Sequence, residues 1–281
     1  MTSPTPNNHN EADQQTVDSV VMPSDEFLQA LVTEIDNDTI VGITLGGSYA
    51  RGNATPYSDL DLACFYKDEA SLLPHQLFYR NGLLIRMNTT TVASIRADLT
   101  RPEKAIFLAA TRRRILLDKD GSVTELAQEI ATFRWEPLRQ KAFEYASFQM
   151  MLAAELVHKI LSEILRHNDL AIAHTTAKLL SRLTEIVTVQ GGVPIISDSV
   201  YYQQIEAAVG IDTAWTHYHR LVAGVDTLPA NVSLITVRAV AALHLYQETI
   251  ALLKPTMKPE HMEIAEQAMR VFHEAGPRLR L

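Results

Sequence analysis

Residues 45–66, Leu45 through Tyr66, read LGGSYARGNATPYSDLDLACFY. An apolar run, Ile40 to Leu45, leads into Gly46-Gly47 and then Ser48. A second apolar run, Leu60 to Tyr66, follows Ser58-Asp59 and carries Asp61 near its start. Strand side chains alternate between two faces, so Asp59 and Asp61 are expected on one face and Leu60 and Leu62 on the other. Two carboxylates this close repel unless something positive stands between them. A hard divalent cation with oxygen ligands meets that need, typically Mg²⁺ bound to phosphates. The glycine turn would bring backbone N–H groups and the Ser48 hydroxyl to the same phosphates, as other glycine-rich anion sites do. Taken singly, Gly46-Gly47 also reads as an ordinary turn, and Ser58-Asp59 as a helix cap. Together, with their flanking apolar runs, they read as a site.

At these residues the chain resembles the nucleotidyltransferase superfamily that includes DNA polymerase beta and kanamycin nucleotidyltransferase. That pattern is an apolar strand, Gly-Ser, an interval of roughly a dozen residues, and Asp-x-Asp on the next strand. Gly47-Ser48, Arg51-Gly52, Ser58-Asp59 and Asp61 fit it. The form looks most like the small stand-alone and antibiotic-modifying branch, which takes aminoglycosides or lincosamides. The resemblance implies metal ligands Asp59 and Asp61, with Gly47, Ser48, Arg51 and Ser58 around a nucleoside triphosphate. ATP or another NTP would be the co-substrate and Mg²⁺ the cofactor. Arg51 suits a triphosphate contact, and reads equally well as a surface arginine. The implied reaction is attack of a substrate hydroxyl on the alpha phosphorus, with pyrophosphate leaving.

One part of the pattern is missing. Polymerase-like members carry a third acid on a later strand, and the third apolar run here, Leu83 to Met87, contains no Asp or Glu. Members like kanamycin nucleotidyltransferase use a glutamate of a helical domain as general base, which offers Glu136, Glu144 and Glu155. Glu144 is the choice, because Phe143, Tyr145 and Phe148 flank it and apolar surroundings raise a carboxylate pKa toward the range useful for proton transfer. Glu155 stands four residues before Lys159, the spacing of a helix-surface ion pair. Asp98 is the next acid along the chain. The alternative readings are transfer to a protein or an RNA end, as in a toxin–antitoxin pair, and a non-catalytic nucleotide-binding regulator.

Around this site the periodicities suggest two domains. Residues 1–22 are rich in Ser, Thr, Pro, Asn and Gln and read as a disordered tail. Ser24-Asp25-Glu26 begins a helix, and Asn81-Gly82 is a hairpin signal ahead of the third run. Thr91 to Leu99 and Pro102 to Ala109 suit short helices. Arg114 to Asp118 reads as a last strand ended by Asp120-Gly121. Residues 23–121 therefore form an expected nucleotidyltransferase domain with a small mixed sheet. Beyond Gly121, long Leu/Ala/Glu-rich segments of 3.6 periodicity make residues 122–281 an all-helical bundle, and the fold class α+β.

Composition narrows the partners. The 281 residues carry 25 Lys and Arg against 33 Asp and Glu, a net charge of −8. That argues against an extended nucleic-acid surface and suits a cationic small-molecule acceptor. Cys64 is the single cysteine and reads as a buried small hydrophobe. No signal peptide or membrane-span pattern is legible, so a cytoplasmic enzyme with no membrane partner is the default. A homodimer is left open. Arg112-Arg113-Arg114 reads as a solvated strand edge or a triphosphate contact. His217-Tyr218-His219 reads as a helix surface or a pocket lining.

Overall fold

The computed structural model describes residues 23–226 and 233–279. The tail expected over residues 1–22 lies outside them. Two compact units divide the chain. Among the described residues, the first contains 23–92 and 112–125, and the second contains 93–111, 126–226 and 233–279.

The first unit is a five-stranded mixed sheet with one helix on its core face. Its strands are β1 (Ile40–Leu45), β2 (Leu60–Tyr66), β3 (Gln76–Arg80), β4 (Leu83–Thr91) and β5 (Arg114–Asp118). They lie in the order β3-β4-β2-β1-β5. β1 runs antiparallel to β2 and β5, β2 runs parallel to β4, and β3 is antiparallel to β4. Helix α1 (Asp25–Ile35) starts where expected, with the Ser24 hydroxyl accepting from Phe27 N–H at 3.1 Å. Its Leu28, Leu31 and Val32 pack on Ile43, Leu60, Leu62, Ile85 and Met87. This core also encloses Cys64, whose thiol burial pushes up to about 12, as expected of an inert buried hydrophobe.

Three local features differ from the sequence expectation. The glycine turn continues into a short helix, α2 (Gly47–Arg51), closed by Gly52 in the left-handed region at φ 76°. The hairpin signal at Asn81-Gly82 sits between two strands, and β3 was not legible because its consecutive Leu77, Phe78 and Tyr79 hide the alternation, Leu77 and Tyr79 being exposed. β4 extends through Asn88 and three threonines to Thr91, which are β-branched and suit a strand.

The second unit is helical. It contains α3 (Val92–Asp98, from its second residue) and α4 (Pro102–Leu108), then takes up α5 (Ser122–Ala131) partway along. The long helices are α6 (Arg139–Leu165), α7 (Asp169–Gly191), α10 (Leu234–Leu253) and α11 (Pro259–Leu279), with α8 (Tyr201–Val209) and α9 (Ala214–Ala223) between them. Alanines Ala146, Ala153, Ala154, Ala239 and Ala242 line their contacts with Met150, Leu179, Leu183, Leu243 and Leu245. Trp215 is fully enclosed and donates its indole N–H to Thr249 Oγ1 at 3.0 Å. The described helices include none long and apolar enough to cross a membrane.

Candidate active site

The carboxyl end of β1 delivers the chain into Gly46, whose N–H donates to the Asp61 carbonyl at 2.8 Å. That bond ties the turn to the start of β2. Gly47 follows with φ 65°, a left-handed conformation that costs any residue with a Cβ. A Cβ placed there would stand 3.1 Å from Asp61 Cγ and closer still to its carboxylate oxygen. The turn and the Asp61 carboxylate thus occupy one place, and only glycine permits it.

Asp61 lies in β2, and Asp59 stands just before the strand's first residue. Both are partly buried. Burial pushes the Asp61 carboxyl up, and the neighbouring Asp59 charge pushes the same way; Arg86, Arg113 and Arg51 pull it back. A carboxylate raised in this way is destabilised by the absence of a stronger positive partner, so the pair suits a cation. Among the described residues no group of three His, Cys, Asp or Glu could hold a metal. A cation on Asp59 and Asp61 would therefore complete its oxygen shell from phosphates and water, as Mg²⁺ does at phosphate sites. With the room that Gly47 leaves open, these residues fit the metal-bound triphosphate that the sequence suggested.

Each arginine reaches Asp61 by a different route. Arg86 is its partner in the parallel β2–β4 register. Arg113 immediately precedes β5 and is exposed, with its Nη1 3.5 Å from Thr44 Oγ1. Its guanidinium and the Asp61 carboxylate attract each other. Arg51 ends α2, and its Nε is buried without a hydrogen-bond partner. Neither Arg86 nor Arg113 was singled out as a neighbour of the aspartates in the sequence. Arg86 offered a signal, being the one charge in the apolar run Leu83–Met87. Arg113 stood in a triplet, where its neighbours concealed it. It is exposed, as the basic run suggested, and its guanidinium also reaches Thr44.

Ser48 is partly exposed in α2. The Ser58 hydroxyl is engaged locally. It accepts from Thr55 N–H at 2.8 Å and lies 3.3 Å from Thr55 Oγ1, so it builds the turn that presents Asp59.

Glu144 does not have the apolar surroundings expected of it. It is exposed on α6, with Gln140 Nε2 3.4 Å from its Oε1. The buried stripe of α6 runs through Ala142, Ala146, Met150 and Ala153, and sequence neighbours one position away on a helix do not share a face. The neighbouring Tyr145 is half-buried, and its hydroxyl donates to Glu185 on α7. Burial and the Glu185 carboxylate push that hydroxyl up. Glu136 is also exposed, Glu155 pairs with Lys159 at 2.6 Å, and Asp98 lies 3.6 Å from Arg101. His219 is neither surface nor pocket lining. It is fully buried, stacked on Trp215 at 4.7 Å and bonded through Nδ1 to Glu206 at 2.9 Å.

Residues 24–119 match the family described as the nucleotidyltransferase domain. The chain carries a nucleotidyltransferase domain. The match spans the sheet, the glycine turn and both aspartates, and nucleotidyl transfer in general is the chemistry of such a domain. Among solved structures, the chain is similar to a nucleotidyltransferase-like protein from Exiguobacterium sibiricum 255-15, with 14% identity, 80% of this chain and 75% of that chain covered, and a TM-score of 0.48. No curated protein matches the sequence.

Proposed function

We propose that the nucleotidyltransferase domain moves a nucleoside monophosphate from a nucleoside triphosphate, ATP in the first instance, to a hydroxyl of a small molecule of the aminoglycoside or lincosamide kind. The observation that carries this reading is the convergence of Gly47 and the Asp61 carboxylate, which leaves no space for a side chain between turn and acid. In this reading Asp59 and Asp61 hold Mg²⁺. The backbone N–H groups of the turn and the Ser48 hydroxyl hold the outer phosphates. Arg51, with its unpartnered Nε, receives a phosphate oxygen. The chemistry a bound Mg²⁺ supplies is neutralisation of charge on the attacking and leaving oxygens. Arg113 offsets part of the Asp61 charge.

The test follows transfer of label from α-³²P-ATP with Mg²⁺ to a panel of hydroxyl compounds. Asp59→Asn and Asp61→Asn should each abolish transfer while leaving the circular dichroism spectrum unchanged. Undiminished Mg²⁺-dependent transfer in either variant refutes the assignment. A second reading, a nucleotide-binding regulator without turnover, is favoured by one observation: the β4 partner of Asp61 is Arg86 rather than an acid. It predicts Mg²⁺-dependent ATP binding that Asp61→Asn abolishes, with no transfer to any acceptor.

A further inference from the structure

The acceptor side of the site has a definite chemistry, and it differs from that of the chain as a whole. Displacement at phosphorus runs in line, with the attacking and leaving oxygens on opposite sides. The glycine turn lies at the end of β1, on one flank of Asp61. Pyrophosphate held there leaves toward β1, so the attacking hydroxyl enters from the other flank, over β4 and β3. Register identifies what stands on that flank. Asp61 pairs with Arg86, and Arg86 pairs with Leu77, so the three form one row across the sheet. Leu84 and Tyr79 pair one step along, two residues from Arg86 and Leu77 and hence on the same face. The opposite face confirms the pleat, because Phe78, between Leu77 and Tyr79, packs on the core that contains Ile85 and Met87. Leu77 is 65% exposed and Tyr79 74% exposed.

This row presents a guanidinium beside the reacting position and an open aliphatic and aromatic strip beyond it. We infer that Arg86, Leu84, Leu77 and Tyr79 form the acceptor subsite, and that it selects a hydroxyl compound with an apolar or aromatic body and at most one amine over a polycation. The inference rests on the nucleotidyl-transfer reading above. Three arginines act on Asp61, so the charge around the two aspartates does not follow the −8 of the whole chain. A polyamine would place several ammonium groups against Arg86, and like charges brought together at a binding surface are strongly unfavourable. The strip offers instead the apolar and aromatic contact that small-molecule sites use for their main area. An extended RNA is disfavoured, since acids outnumber bases across the first unit and one arginine with one aromatic makes no phosphate-tracking groove.

The experiment is calorimetry on the full chain loaded with Mg²⁺ and the non-hydrolysable α,β-methylene analogue of ATP. The probes are lincomycin, with one amine and an apolar side chain, and kanamycin, a polyamine. Lincomycin should bind at least about tenfold more tightly than kanamycin. The double variant Leu77→Ser/Tyr79→Ser, at positions too exposed to govern folding, should weaken lincomycin by about tenfold or more and leave nucleotide affinity unchanged. Arg86→Glu should narrow the gap by about tenfold in favour of kanamycin. The inference is overturned by equal or tighter binding of kanamycin to the wild type, by binding of neither compound, or by preference for a single-stranded RNA oligonucleotide. It is equally overturned if lincomycin affinity does not change in the double variant. Failure of the nucleotide itself to bind the wild type is a separate result, because it refutes the transfer reading on which this one stands.

Discussion

Gly47→Ala is the sharpest perturbation of the site, because Gly52 supplies its control. Both glycines have left-handed backbones, at φ 65° and 76°. Alanine in that region costs about 1–2 kcal/mol, so both variants should lose about that much from the folded first unit. They differ in what the new methyl meets. At Gly52 no atom lies within 4 Å, whereas at Gly47 the methyl falls 3.1 Å from Asp61 Cγ and collides with its oxygen. The carboxylate must rotate away or the turn must lift from β2, and either movement separates the metal ligand from the phosphate cradle. A misplacement of about 1 Å in such a site costs on the order of 10²-fold in rate. Hydrogen exchange at the β1 and β2 amides would measure the local stability loss, which should be similar in the two variants up to the added strain at Gly47. Transfer from labelled ATP and calorimetry with Mg²⁺-ATP would measure function. Gly52→Ala should stay within about twofold of wild type, and Gly47→Ala should lose about 10²-fold or more in transfer. If Gly47→Ala keeps wild-type nucleotide affinity and rate, the turn is not where phosphate binds.

Three further outcomes are expected. Asp61→Asn should raise the stability of the metal-free protein while abolishing transfer, because burial and Asp59 both disfavour the Asp61 charge; hydrogen exchange at β2 without Mg²⁺ checks the first half. Glu144→Gln should change the transfer rate by less than about twofold, since the side chain is exposed; a loss of about 10²-fold, as for a general base, would contradict this. His219 is held below its ordinary pKa by burial, which outweighs the hydrogen bond and charge of Glu206 that oppose it. The unfolded chain therefore binds this proton more readily, and the helical unit should lose stability as pH falls from about 6.5 toward the lower folded value. Denaturant titrations between about pH 7.5 and 5.5 check it, and His219→Gln should flatten the dependence.

The sheet unit was legible where pattern and chemistry coincided. Ile40–Leu45 and Leu60–Tyr66 are continuous apolar runs, and the aspartates interrupt the second where a fold alone would not place them. β3 escaped because its core contact is made mainly by Phe78, while Leu77 and Tyr79 turn outward. Arg113 escaped because its approach to Thr44 and Asp61 depends on β1 and β2, which are distant in sequence. The reasoning for Glu144 failed on a different point. Flanking aromatics make an apolar segment in one dimension, but on a helix they point elsewhere, and the half-buried hydroxyl of Tyr145 found the half-buried carboxylate of Glu185. The helices of the second unit were read from periodicity alone.

The placement of residues 93–111 in the second unit has a consequence for how the chain is made. β5 is the only strand beside β1 on that edge of the sheet, and it follows the helical excursion that separates it from β4. A nascent chain emerging from the ribosome can pair β1, β2, β3 and β4 while β5 is still unmade. Until Arg114–Asp118 arrives, β1 presents an open edge of apolar residues, the kind of edge that invites pairing with another chain. Arg113, one of the three arginines that act on Asp61, arrives at the same moment. Completion of the sheet and delivery of the last of the arginines around Asp61 are thus a single event in synthesis, timed by the passage of one short strand.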